Sequence, residues 1–575
     1  MRLVYKHATR VIIWLGSRSP GVEEAFLAAT RFAEATEILD DASAGRGHGV
    51  LDAAAREAVL EGLMDGVPPT ALQRLSELFA RPYWTRTWCI QEVVAAKWAV
   101  VKIEELEISF IDLLSSLMVV TEWRREVSLD TPLLLWWQIY LARRRHGPVV
   151  RNSDVEGSVG DLLSVLASAR AFAATDLRDK IFAMFGICDE GLQPVLALTQ
   201  VEGEEANKGW RMRALRKVVT KVNEFAQKHG PDPQFGTPKA LRPDYRKDPV
   251  DVYTDMARFL MRKPPRKLDV LVHVQHNTDP SPSDEYPSWV PKWFETTTCF
   301  AMRGAFLAGL CDGHFPNLAE LHDTPTLGNP VRPRVLSLDG FRFDVVEKVS
   351  EVMEFGFDDY GRTLSVIESV WSQLFPFPMF GAPQNPLYRS DEAHEVAFCN
   401  TLAVCPLGYI TASMVRNINE GRQRNLLPDN TEHEHRGIGP ITDMCQQEIF
   451  SFLAHLQQRK AGNAGGSSLA TAEGGQIPES FRLFIGAVRI LCFNRRAFVT
   501  REGRIGIGPK VMQAGDEVAV LFGARMPSIL RLRADHHVFV GQSYVHDQAL
   551  MWGDECGKVR FNRPGGVPRV MFELR

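Results

Sequence analysis

The chain has 575 residues, 45% of them hydrophobic and 24% charged, with a formal net charge of −4. This balance is that of a soluble globular protein, and the length exceeds what one hydrophobic core organises, so two or three domains are expected. The charge leaves no basic footprint for nucleic acid, so no nucleic-acid partner is expected.

The nine cysteines are scattered and form no C-x-x-C pair, which argues against a zinc site or a disulfide framework. The early apolar run, Val11 to Leu15, is too short for a signal segment or a membrane span. A reducing, cytoplasmic setting with no membrane span is therefore expected.

In chain order, residues 1–10 read as the end of a helix. Val11-Ile12-Ile13-Trp14-Leu15 is a β-branched run stopped by Gly16, the pattern of a buried strand. Ala-rich helical segments follow at 26–39 and 51–63, separated by a Gly-containing loop at 40–49. Gly-Arg-Gly-His-Gly in that loop is no phosphate cradle, because no strand precedes it and no Lys-Ser/Thr closes it.

The stretch from Leu78 to Lys97 is the most informative. Its second half scans as a helix that Thr85 or Thr87 can cap. Cys89, Ile90, Val93, Val94 and Ala96 gather on one apolar side. Trp88 and Glu92, four apart, lie together on the other side, with Gln91 and Ala95 nearby. Glu92 then has two readings. It is a solvated surface carboxylate, or it stands at the rim of a cleft walled by aromatic rings.

Two stretches here, Tyr5-Lys6-His7-Ala8-Thr9-Arg10-Val11-Ile12-Ile13-Trp14-Leu15-Gly16 and Arg81-Pro82-Tyr83-Trp84-Thr85-Arg86-Thr87-Trp88-Cys89-Ile90-Gln91-Glu92, resemble the heterokaryon incompatibility (HET) domain of filamentous fungi. That family reads Y-x-x-A-x-x-V-x-x-W-L-G and then R-x-W-F-x-R-x-W-x-x-Q-E. Thr175 to Ile187 resembles the family's T-D-x-R-D-K-V-Y-A-L-L-G. The resemblance implies a distantly TIR-like α/β layer with parallel strands. Trp88-Cys89-Ile90-Gln91-Glu92 matches the W-C-x-x-E helix of that class, in which a glutamate cleaves NAD. On this reading Glu92 is the catalytic candidate, Trp88, Trp84 and Arg86 are candidate substrate-binding residues, and NAD is a substrate with no cofactor or metal required. The family's pattern normally begins with a further strand and loop before the Y-x-x-A segment, so the HET domain is expected to be N-terminally truncated here and its site incomplete. The family implies non-self recognition and programmed cell death. The alternative is a non-enzymatic module that self-associates or binds a protein partner.

Further on, helices are expected at 104–123, 133–145 and 161–170, with Trp136 and Trp137 in a core. Asp176 can cap a helix continuing through Lys180-Ile181-Phe182, and Arg178, Asp179 and Lys180 read as a structural ion-pair network. Pro243-Asp244 starts a turn before a helix at 252–258. Pro287-Ser288-Trp289-Val290-Pro291-Lys292-Trp293 cannot be helical and reads as a Trp-anchored crossing. Two strands are expected at 335–340 and 343–349, and helices at 363–374 and 445–458. Thr431-Glu432-His433-Glu434-His435 lacks the spacing of a metal motif. Regular short strands from Ala497 to Val545 suggest a small antiparallel sheet or barrel, with a tight hairpin turn at Arg501-Glu502-Gly503. Gly503 to Pro509 does not match a dinucleotide fingerprint, and His536, His537 and His546 read as strand-end residues.

The expected class is thus α/β, a partial TIR-like parallel sheet with helices, followed by a helical region and a small C-terminal antiparallel β domain. The expected divisions are a truncated HET domain with a helical insertion at 1–190, a helical and irregular region at 191–334, a mixed α/β region at 335–460, a low-complexity linker at 461–477 and a β domain at 478–575.

Overall fold

Apolar segments collect into two compact units, Met1–Val252 with Trp293–Thr296, and Tyr253–Lys292 with Thr297–Arg575. The structure, a computed structural model, describes residues 2–44, 62, 68, 70–123, 136, 161–188, 243–261, 268–281, 284–295, 299, 306, 308–309, 334–355, 360–380, 387, 394–404, 439–463 and 478–575. Expected features at 45–61, 133–135, 137–145, 431–435 and 464–477 lie outside the described residues.

The first unit begins α1 (Arg2–His7), β1 (Val11–Trp14), α2 (Val22–Ala44), α3 (Ala71–Phe79), α4 (Thr87–Ala95), β2 (Ala99–Ile103), β3 (Leu106–Ser109) and α5 (Phe110–Trp123). The sheet has the order β1-β2-β3, with β1 and β2 parallel and β2 and β3 antiparallel. So one parallel pair of the expected layer is present. β1 is not buried on both faces as its apolar run suggested. Ile13 is fully buried, but Ile12 and Trp14 are 55% and 53% exposed, because alternate side chains point to opposite faces of the sheet and only the face carrying Ile13 is covered among the described residues. α2 continues through the expected loop as far as Ala44.

The helix expected from residue 104 is a second correction. Glu104 takes a positive φ of 51°, turning β2 back into β3, and the helix starts at Phe110. The first unit continues with α6 (Leu162–Ser168) and α7 (Asp179–Phe182). Asp161 caps α6 by accepting the Ser164 N–H at 3.1 Å. α8 (Pro249–Met261) follows the turn at 243–246, as the sequence suggested.

In the second unit, β4 (Leu336–Val349) is followed by α9 (Tyr360–Leu374), α10 (His394–Leu402), α11 (Gly439–Asn463) and α12 (Arg482–Cys492). Then come β5 (Arg495–Thr500), β6 (Ile505–Pro509), β7 (Glu517–Leu521), β8 (Ser528–Leu532), β9 (His537–Gln542), β10 (Tyr544–Val545), α13 (Gln548–Met551), α14 (Asp554–Arg560) and β11 (Arg569–Leu574). The strands run in the order β10-β6-β5-β4-β11-β9-β8-β7, and β7 also pairs with β4. β4, β11, β9, β8 and β7 therefore close a ring. Its pairings are antiparallel except for β11 with β9. The expected small barrel thus recruits two strands from outside Ala497–Val545.

β4 is one strand where two were expected. Gly340 lets it run on, since a Cβ there would come 2.1 Å from the Val520 carbonyl oxygen. A register shift between Arg342 and Asp344 bends it, so its first half pairs with β11 and its end pairs with β5. α9 turns Leu364, Ile367, Val370, Trp371 and Leu374 inward at helical spacing, onto a core shared with α10, α11 and α12.

Candidate functional site

The candidate residues lie at the start of α4. Pro82–Thr85 form a single 3-10 turn, and Arg86 is extended before the helix begins. Neither Thr85 nor Thr87 caps α4 as expected. The Thr85 hydroxyl donates to the Pro82 carbonyl at 3.1 Å. The Thr87 N–H and hydroxyl both donate to the Ala173 carbonyl, at 3.0 and 2.9 Å. A distant loop thus fixes where the helix starts. Arg81 ties the same turn to the loop after β1, donating to the carbonyls of Leu15 at 2.6 Å and Ser17 at 3.0 Å and to the Ser19 hydroxyl at 3.0 Å. Sequence reasoning gave Arg81 no role, although it opens the R-P-Y-W motif.

The four candidates part company here. Trp84 is fully buried and offers no face to a ligand. Its indole N–H donates to the Leu78 carbonyl at 2.9 Å, while its own carbonyl accepts the Trp136 indole N–H at 2.8 Å. Phe79, Phe110 and Trp136 surround it at centroid distances of 5.5–6.3 Å. Trp84 is a core residue. Trp88 and Glu92 are half-buried and Arg86 is exposed.

The carboxylate of Glu92 faces phenols. The Tyr83 hydroxyl donates to Glu92 Oε2 at 3.3 Å. Tyr5, on α1, also faces it. Burial, followed by the charge and hydrogen bonding of Glu92, raises the pKa of Tyr5. Burial, with Cys89 and Glu92 behind it, raises that of Tyr83 far above the usual phenol value. Both phenols thus stay protonated at neutral pH and act as donors that orient the carboxylate. The Cys89 thiol is pushed up to about 12 by burial and by Glu92, so it is no thiolate nucleophile.

Gln91, expected beside Glu92 on the polar side, is buried, and its amide donates to the Ala183 carbonyl. That carbonyl lies in the Thr175 to Ile187 stretch, whose residues also bind the chain to itself. Asp176 does not cap α7 but accepts the Arg178 N–H at 3.0 Å and pairs with its guanidinium at 2.7 Å. Arg178 reaches the Lys247 carbonyl at 2.9 Å and lies over the Tyr245 ring, while the Tyr245 hydroxyl donates to Asp179 at 2.5 Å. Lys180 is buried, with Nζ donating to the carbonyls of Arg170 at 2.7 Å, Ala169 and Phe172. Burial lowers its pKa to about 8. The expected network of three ionic residues is thus one ion pair, one phenol contact and one ammonium cradled by carbonyls.

Trp289, from the Trp-rich crossing, is buried, with its indole N–H on the Arg334 carbonyl at 3.1 Å and Arg258 over its ring. His537 opens β9, 3.4 Å from Glu517, and His546 follows β10. Among the described residues no group of three or more His, Cys, Asp or Glu is placed to hold a metal, and no helix is long and apolar enough to cross a membrane.

Taken together, these features define a mixed α/β protein with a C-terminal antiparallel sheet. The family model described as Heterokaryon incompatibility protein (HET) matches residues 1–92, and the Het-6 beta-barrel domain matches residues 483–557. Both matches support a fungal HET domain protein, the HET model over the start of the chain and the barrel model over the strands near its end. No curated protein and no solved structure matches it.

Proposed function

We propose that the chain acts in the cytoplasm in fungal non-self recognition and programmed cell death, with Glu92 as the carboxylate of a TIR-like site that cleaves NAD. What supports this reading is the setting of Glu92, a half-buried carboxylate at the end of the HET match, oriented by the hydroxyl of Tyr83. Breaking the N-glycosidic bond builds positive charge on the ribose, which such a carboxylate stabilises. Nicotinamide leaves with the bonding electrons, and water adds to the ribose carbon with loss of a proton. Trp88 and Arg86 are the neighbours left to meet the substrate. The test is nicotinamide release by the purified chain. Glu92→Ala should lower it by roughly a hundredfold or more. NAD left intact by the unaltered chain, or equal release by the variant, would reject the catalytic reading.

The exposure of β1 favours a second reading, self-association through that strand. The N–H groups of Val11 and Leu15 bond toward β2, which turns the backbone groups of Ile12 and Trp14 to the other edge. A second copy pairing at that edge would bond to those groups and set its own side chains beside Ile12 and Trp14. Sedimentation should show dimers that Ile12→Lys with Trp14→Lys abolishes. A monomer at high concentration would count against this reading.

A further inference from the structure

A small hollow in the second unit has a composition that the family match does not explain. His276, Cys299, Arg495, Lys510 and Gln542 are among its walls. Both charged groups lining it are cations, and no carboxylate lines it among the described residues. Arg495 is 5% exposed, at the start of β5. Lys510 is half-buried just past β6, and its ammonium donates to Asn277 Oδ1 at 3.3 Å, which engages one of its three N–H groups. Gln542, at the end of β9, is 6% exposed, and its Oε1 meets no hydrogen-bond partner among the described residues. A buried acceptor left in that state is costly and calls for a donor. His276 adds no charge. Its Nε2 lies 2.9 Å from the Phe539 carbonyl, and burial brings its pKa down to about 4.

The hollow therefore asks for an anion that also carries a proton to donate. A carboxylate or sulfate at neutral pH supplies acceptors alone, which meets the cations and leaves Gln542 as it was. We propose that this hollow binds hydrogen phosphate, with Arg495 and Lys510 meeting its anionic oxygens and Gln542 Oε1 accepting its remaining hydroxyl. Lys510 is the informative position, because it stands at the rim and its loss leaves the strands intact.

Cys299, half-buried in the wall, reports occupancy. The full chain is alkylated with iodoacetamide in rising inorganic phosphate, with sulfate or chloride at matched ionic strength as comparison, and modification of Cys299 is followed by peptide mass spectrometry. Phosphate should protect Cys299 saturably, and sulfate should need roughly tenfold higher concentration, the worth of one buried hydrogen bond. Lys510→Ala should weaken phosphate protection by roughly tenfold, while Lys510→Arg should retain most of it. Equal protection by phosphate, sulfate and chloride would overturn the proposal. So would a phosphate effect that Lys510→Ala leaves unchanged.

Discussion

Gln91 shows how a single side chain can decide what its neighbours do. A polar residue on a helix is ordinarily turned outward, and its spacing from Cys89 and Val93 gave no reason to expect otherwise. It is buried because the Ala183 carbonyl, 92 residues further along, needs its amide. Gly186 is the other half of the arrangement, since a Cβ there would lie 2.8 Å from Gln91 Cδ and Nε2. Gly186→Ala is therefore expected to cost roughly 1–3 kcal/mol of unfolding free energy through crowding. Adding Gln91→Ala should remove most of the crowding, so the double variant should be more stable than the two separate losses predict. Urea titration of the four proteins measures the coupling, and strict additivity would count against the contact. Partners far off in sequence also explain Trp84. The resemblance offered it as a substrate-binding residue, whereas Trp136 and Phe110 claim it for the core.

At the scale of elements, local pattern served best where one face of the element meets one partner. α9 shows its apolar spacing plainly, and β1 shows its β-branched residues. β2 and β3 were obscured because Ala99-Val100-Val101-Lys102-Ile103 follows a helix without Gly or Pro, and only pairing with β1 reveals it as a strand. α12 packs Phe484, Ile485, Val488 and Leu491 inward, yet it lies just before strands whose rhythm dominated the reading. β4 carries a sharper lesson, because its glycine looked like punctuation and is instead a place where two strands approach. Gly340→Ala would set a methyl group against backbone that cannot swing aside. It is expected to destabilise the chain by more than about 3 kcal/mol, or to prevent folding. The melting temperature measures it, and a variant as stable as the parent would show that β4 and β7 have room to part.

For the molecule as a whole, acid stability is the property these interactions set most directly. His276 ordinarily titrates near 6.5 and in the fold near 4, chiefly through burial, with Lys292 also lowering it and Asp284 opposing. Above pH 6.5 the imidazole is neutral in both states. Between 6.5 and 4 the unfolded chain takes up a proton that the folded chain refuses, so stability falls as pH falls through this window, by on the order of 3 kcal/mol. His276→Gln should flatten that part of the curve of unfolding free energy against pH, even if it is less stable at pH 7. An unchanged slope would place the acid sensitivity elsewhere. The closure of the ring by β4 bears on how the protein is made. Leu336 pairs with Leu574, so an emerging β4 leaves the ribosome long before the strand that completes its first half, and its apolar face must wait in water. Synthesis of the final strand, rather than of any earlier one, is then the event that seals the barrel.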